Sequence, residues 1–235
     1  MMNIVITGAS SGIGYATALR FSAEPGNLIF AIARSGDKLE ELRASAGKSR
    51  IIPVVQDITD FTFVCLEEVL LQEGVSHIDI LIHNAGYLVN KPFEELDAAD
   101  WHTIYNINVL GIAMLTRHLV PRMGGNGENH THIVMIGSIG GVNGSSKFPG
   151  LSAYSSSKGA VSVLAECLAE EFRGRGISVN CLALGAVETE MLSKAFPGYV
   201  PKTKSSEAAG YIYDFSVGGW RHFNGKILEV STTNP

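Results

Sequence analysis

Short apolar runs rich in β-branched residues recur along the chain at 4–7, 28–33, 51–56, 78–82, 133–136, 178–182 and 227–230, and each reads as a strand. Between them lie stretches with helical spacing, at 13–23, 37–46, 61–72, 98–123, 152–173 and 206–215. Strands that alternate with helices imply a parallel sheet covered on both faces, because each right-handed crossover returns its helix onto the sheet. The expected fold is α/β: one Rossmann-like, doubly wound domain with a central parallel sheet of about seven strands. Three loop regions remain, at 124–130, 140–151 and 193–205. The first is rich in Gly and Asn and reads as a solvent-exposed turn. The other two follow strand ends on the side where such folds bind ligands, and are assigned to the substrate site, with a lid over about 186–205.

Composition narrows the class. At 235 residues, 46% hydrophobic and 17% charged, the chain suits a single domain over 1–235 with a well-buried core. A net charge of -5 gives no basic surplus for nucleic acid or an anionic membrane. Cys65, Cys167 and Cys181 each sit in an apolar stretch where a thiol serves as a small hydrophobe, and their odd number points to a reducing compartment. The longest apolar runs are far shorter than the roughly 20 residues that span a bilayer. Met1-Met2-Asn3 leads straight into Ile4-Val5-Ile6 without the layout of a signal peptide, so a cytoplasmic location is expected.

The first strand ends in Thr7-Gly8-Ala9-Ser10-Ser11-Gly12-Ile13-Gly14 and the first helix opens within that turn. Unpaired backbone N–H groups and the positive end of the helix dipole suit a pyrophosphate there. The glycines allow a tight turn and close approach of the ligand, and Gly14 allows close packing of helix on strand.

A second constellation lies downstream in Ser152-Ala153-Tyr154-Ser155-Ser156-Ser157-Lys158, with Ser138 before it. On a helix, residues four apart share a face, so the Lys158 ammonium is expected near the Tyr154 phenol. A free phenol has a pKa of about 10, and a nearby positive charge lowers it. Tyr154 is therefore the candidate acid–base. Tyr87 and Lys91 have the same spacing, but they run into Pro92, which disfavours helix for the residue before it.

Together these residues resemble the short-chain dehydrogenase/reductase family over nearly the whole chain. Thr7-Gly8-x-x-x-Gly12-x-Gly14 matches its cofactor turn, Asn84-Ala85-Gly86 its sheet-stabilising motif, and Asn108, Ser138, Tyr154 and Lys158 its catalytic tetrad. The resemblance implies a nicotinamide cofactor held by Thr7, Gly8, Ser10, Ser11, Gly12, Ile13 and Gly14. It adds Asp57 and Ile58 at the adenine, Asn84, Ala85 and Gly86, and Gly185, Val187 and Thr189 near the carboxamide, with Tyr154 and Lys158 also touching the cofactor. It further implies hydride transfer between the nicotinamide and a carbonyl or secondary alcohol. In that scheme Tyr154 exchanges the proton, Ser138 polarises the oxygen, Lys158 lowers the phenol's pKa and holds the ribose, and Asn108 positions a water. The alternative is a catalytically idle dinucleotide sensor or regulatory protein on the same fold.

The second strand ends Ala31-Ile32-Ala33-Arg34-Ser35. No carboxylate stands at Ala33 to take the ribose 2′-hydroxyl, and Arg34 offers a planar fork for a 2′-phosphate. NADP(H) is therefore expected, with NAD(H) as the alternative. Leu184-Gly185 replaces the family's usual Pro-Gly, His83 stands where asparagine is common, and Ser145-Ser146-Lys147 are extra residues ahead of Tyr154. Met191, Phe196 and Tyr199 are expected in an apolar substrate pocket or in a lid. His130 and His132 share a strand face but lack a third ligand, so no metal is expected. Apolar residues in 98–123 and 152–173, including Ile104, Ile107, Leu164 and Leu168, exceed one sheet-facing stripe, and the resemblance implies pairing of these helices into a homodimer or homotetramer. The expected partners are thus a small carbonyl or alcohol and further copies of the chain, with neither nucleic acid nor membrane.

Overall fold

A computed structural model of the chain describes residues 1–125 and 130–231. The 124–130 turn and the chain end therefore lie partly outside the described residues. Seven strands form one parallel sheet: β1 (Asn3–Thr7), β2 (Leu28–Ala33), β3 (Arg50–Val55), β4 (Ile80–His83), β5 (Thr131–Ser138), β6 (Ile177–Leu184) and, after two short strands described below, β9 (Ile227–Val230). Their spatial order is β3-β2-β1-β4-β5-β6-β9. The order reverses between β1 and β4, and in such sheets ligands bind in the crevice outside the strand ends at that point.

Period-two side-chain alternation divides the core. Val5, Phe30 and Ile32 point into one apolar cluster, whereas Ile4, Ile6, Ile29 and Ala31 point into the other. The first cluster is closed by α3 (Val64–Gln72), α5 (Gly111–Leu119) and α6 (Ser152–Glu171). The second is closed by α1 (Gly12–Ser22), α2 (Gly36–Ala44) and α8 (Ser205–Gly218). Among the described residues, no helix is long and apolar enough to cross a membrane.

Two segments differ from the sequence expectation. The single helix expected over 98–123 is α4 (Ala98–Tyr105), a π-turn at Asn106–Leu110, α5, and a final 3-10 turn at Val120–Arg122. A hydrophobic period near 3.6 cannot register one inserted residue, so the π-turn is silent in the pattern. The loop expected at 193–205 is shorter, running over 196–202 between α7 (Glu190–Ala195) and β8 (Thr203–Lys204), and β8 pairs in parallel with β7 (Val187–Glu188).

The apolar residues read as a helix-pairing surface differ in their burial. Ile104 is fully buried inside the domain, and Ile107, Leu164 and Leu168 pack against the first core cluster. The apolar side chains that this part of the molecule does leave exposed are Leu110 and Val163.

Candidate functional site

The β1–α1 turn is built by backbone conformations that favour glycine. Gly8 and Gly12 have φ of 68° and 55°, in the left-handed region that side chains rarely adopt. A Cβ on Gly14 would stand 2.3 Å from the Gly8 carbonyl oxygen and 2.4 Å from Asn84 Nδ2, so this helix packs as closely on its strand as expected. Asn84 Nδ2 donates to the carbonyls of Thr7 at 3.0 Å and Gly8 at 3.2 Å. In return, Thr7 Oγ1 accepts from the backbone N–H of Asn84 at 3.1 Å and of Ala85 at 3.0 Å. Asn84-Ala85-Gly86 thus ties the ends of β1 and β4 together at the crevice. Ser11, the residue before α1, makes no side-chain capping bond, so the helix's first N–H groups face the crevice without a side-chain partner.

A cleft of about 540 Å³ opens above these strand ends. It collects every residue expected at the site except Gly14 and Asn108, which stand behind its wall. Such a cradle fits a nicotinamide dinucleotide: the glycines let the turn fold tightly against Asn84, Ala85 and Thr189, and the helix N-terminus beside the cleft supplies donors for a pyrophosphate.

Tyr154 and Lys158 lie on α6, whose first turns border the cleft, and Ser138 ends β5 beside them. Lys158 Nζ donates to the carbonyl of Ile136 at 2.8 Å and lies 5.8 Å from the centre of the Tyr154 ring. Burial dominates both titrations. It pushes the Tyr154 phenol up to about 12, against a hydrogen bond with Ser138 that pulls it down, and pushes the Lys158 ammonium down to about 8, against the nearby Cys181. The expected direction is a phenol lowered by Lys158; here the shift runs upward, set by desolvation and opposed by the Ser138 hydrogen bond.

Asn108 sits in the π-turn with no exposed surface. Its Oδ1 accepts from Tyr87 N at 2.7 Å, and its Nδ2 donates to Tyr87 O at 2.9 Å and to Ser157 Oγ at 2.9 Å. Both amide protons are engaged, so the side chain braces the 84–88 segment against α6. Tyr87 and Lys91, the spacing match set aside above, lie outside any helix, and Lys91 instead pairs with Asp100 at 2.7 Å.

At the β2–β3 end of the cleft, Arg34 is largely exposed and its guanidinium lies 4.0 Å from the Asp57 carboxylate. Asp57 Oδ1 is held by the backbone N–H and hydroxyl of Thr59 at 2.9 Å and 2.8 Å. Ile58 lines the same wall and packs closely on Gly111. On the opposite side, Gly185 N donates to Val230 O at 3.1 Å, and a Cβ there would collide with Ser231. Leu184 continues β6 in register with Ser138 and Val230, which explains how the strand runs on without the proline the resemblance leads one to expect. Thr189 caps α7 through its hydroxyl and sets its methyl beside Gly12, drawing the 187–199 segment over the glycine turn.

Met191, Phe196 and Tyr199 line the cleft, as does Tyr87, and so do Leu88, Phe148, Leu151 and Leu192, which the sequence did not single out. Phe148 belongs to no motif. Only its place just after the extra residues Ser145-Ser146-Lys147 could have flagged it. That insertion closes on itself, with Lys147 Nζ donating to Val142 O at 2.6 Å and to Ser145 Oγ at 2.8 Å.

The histidines have structural partners. His83 is buried, meets Thr116 Oγ1 at 2.8 Å, and is driven down to about 3 by desolvation. His132 contacts Ser216 O and Asn180 Nδ2 at 3.0 Å each, while His130 stacks on Trp220. Among the described residues no group of His, Cys, Asp and Glu is arranged to hold a metal ion.

The family model for short chain dehydrogenases matches residues 2–199. An oxidoreductase of Botryotinia fuckeliana is 33% identical over 79% of this chain, which spans 65% of that protein's length. A 3-oxoacyl-(acyl-carrier-protein) reductase of Thermotoga maritima is 34% identical over 81% of this chain and 76% of its own. In structure, a 3-ketoacyl-(acyl-carrier-protein) reductase of Brucella melitensis, solved with NADH, superposes with a TM-score of 0.86 at 26% identity, covering 97% of this chain and 96% of the other.

Proposed function

The chain belongs to the short-chain dehydrogenase family, and we propose that it is an NADP(H)-preferring oxidoreductase that interconverts a carbonyl compound and its secondary alcohol. The observation that carries this reading is that Ser138, Tyr154 and Lys158 border the same cleft as the glycine turn. The turn, Asn84-Ala85-Gly86 and the 185–189 segment would hold the dinucleotide. When bound, the nicotinamide supplies or accepts the hydride. Ser138 and Tyr154 would share one substrate oxygen, and Tyr154 would give that oxygen a proton in the reductive direction. Lys158, anchored to Ile136 O, keeps two further ammonium protons for other contacts. Asn108 acts in this scheme by fixing the 84–88 wall. The NADP(H) preference rests on Arg34 and on the absence of a carboxylate at position 33.

A homodimer or homotetramer in the cytoplasm completes the reading, the exposed Leu110 and Val163 supplying apolar surface for association. The test is equilibrium binding of NADPH and NADH to the purified protein, followed by a carbonyl screen that tracks consumption of the reduced cofactor. Binding without turnover of any carbonyl would favour a dinucleotide sensor instead.

A further inference from the structure

The geometry points to a neutral ketone or secondary alcohol with a bulky apolar, aromatic substituent as the substrate; this rests on the hydride-transfer reading above and names the substrate class of that site. Among the described residues that line the cleft, the charged ones are Arg34, Asp57, Lys158 and Glu190. Arg34 and Asp57 stand together at the β2–β3 end. Glu190 pairs with Lys194 at 2.6 Å, and Lys158 is buried with its ammonium on the β5 backbone. The rim lysines are also engaged, Lys91 with Asp100 and Lys147 with the carbonyls of its own loop. Apart from the buried Lys158, a substrate carboxylate, sulfonate or phosphate would therefore meet a wall whose cations already have partners, and a charge desolvated without a partner is costly.

The part of the cleft formed by the 140–151 and 187–199 segments is mainly apolar. The 140–151 segment contributes Phe148 and Leu151, and the 187–199 segment contributes Met191, Leu192, Phe196 and Tyr199. Of these six, only Tyr199 carries a hydrogen-bonding group. The nearby Thr189 hydroxyl accepts from Leu192 N at 3.1 Å. A polyol would leave its hydroxyls unmatched along this wall, and unmade hydrogen bonds are expensive.

The two apolar segments are joined into one rim. Phe148 and Phe196 meet edge to face with ring centroids 6.5 Å apart, a geometry that can extend to a third ring. Asn90 Nδ2 donates to Ala195 O at 2.7 Å, and Lys91 N donates to Gly150 O at 3.1 Å, so the 87–91 loop ties both segments down. Ser138 and Tyr154 offer two hydrogen bonds to a single oxygen, which is the one polar atom that a simple ketone carries.

A matched substrate set tests this. Acetophenone and phenylglyoxylate differ by a methyl group against a carboxylate, and glucose represents the polyols. With saturating NADPH, kcat/KM for acetophenone should exceed that for phenylglyoxylate and glucose by about a hundredfold, the scale of losing matched polar contacts. Phe196→Ala should raise KM for acetophenone about tenfold, the scale of one lost aromatic contact, while NADPH affinity stays within about twofold. Phe196→Leu should recover part of the loss, which separates a lost contact from a damaged fold. Ligand-observed NMR of acetophenone, with and without Phe196→Ala, supplies a readout independent of turnover. Preference for phenylglyoxylate or glucose, or acetophenone binding unaffected by Phe196→Ala, overturns the proposal. Phe196-dependent acetophenone binding with no hydride transfer supports the ligand class and overturns the oxidoreductase reading alone.

Discussion

The ammonium of Lys158 lies 5.8 Å from the centre of the Tyr154 ring; Lys158 is buried and Tyr154 half-buried, and desolvation is the largest influence on both titrations. Lys158 has a folded pKa of about 8 against an ordinary 10.5. Between those values the unfolded chain holds a proton that the folded one has lost, so stability rises with pH across that window. Tyr154 acts in the opposite sense: its folded value of about 12 lies above the ordinary 10, and stability falls as pH rises beyond 10. Lys158→Met should remove the rise between pH 8 and 10.5. Thermal melts of wild type and variant across that window check it, and parallel curves would refute the burial of a titrating ammonium.

Tyr154→Phe removes the proton donor and leaves the glycine turn untouched. Reduction should fall by about two to four orders of magnitude while NADPH still binds. Lys158→Ala should weaken binding and turnover together, since it removes a cation from the cleft as well as a neighbour of Tyr154. Steady-state kinetics beside fluorescence titration of NADPH separate the two variants. Full activity in Tyr154→Phe would exclude the mechanism.

Gly14→Ala tests the packing behind the turn. The new methyl would meet Gly8 O and Asn84 Nδ2 at 2.3 and 2.4 Å, so backbone or the Asn84 clamp must move. Overpacking of this kind costs about 1–3 kcal/mol, or a Tm lower by about 3–10 °C in a domain of this size. Because the clamp spans β1 and β4, dinucleotide affinity should fall with stability. An unchanged Tm and unchanged affinity would contradict the close contact.

The sheet was legible because each strand is an apolar run bounded by turns, and the glycine turn because φ of 68° and 55° at Gly8 and Gly12 favours that residue. The Tyr154–Lys158 face follows from helical period alone. What the pattern could not carry was any feature that depends on contacts distant in sequence. The π-turn at Asn108 leaves the apolar spacing nearly intact, and Phe148 reaches the cleft only because the 140–151 loop folds against α7. The upward shift of Tyr154 was out of reach for the same reason: spacing places a charge nearby but says nothing of how much water is excluded.

Asn108→Ala should behave as the loss of a brace. It leaves the Tyr87 N–H and carbonyl without their Asn108 partner, while Ser157 keeps its bond to Tyr154 O, and each unsatisfied group costs about 1–3 kcal/mol. The expected result is a lower Tm together with faster hydrogen exchange at the Tyr87 amide. Retained protection at Tyr87 would mean that another group fixes the 84–88 wall.

The cofactor preference turns on Arg34. Its side chain is 74% exposed and only loosely paired with Asp57 at 4.0 Å, so it is free to turn toward a 2′-phosphate. Arg34→Ala should remove a charge-assisted contact of roughly 1.5–3 kcal/mol, weakening NADPH by about ten- to a hundredfold. NADH has no phosphate there and should change far less. Ala33→Asp adds a carboxylate that can accept from the ribose hydroxyls and repels the phosphate, which shifts preference further toward NADH. The double variant should narrow or invert the NADPH preference while Ser138, Tyr154 and Lys158 keep turnover. Titration of both cofactors against wild type and the variants decides it: if wild type already prefers NADH, or Arg34→Ala weakens both equally, Arg34 does not read the phosphate.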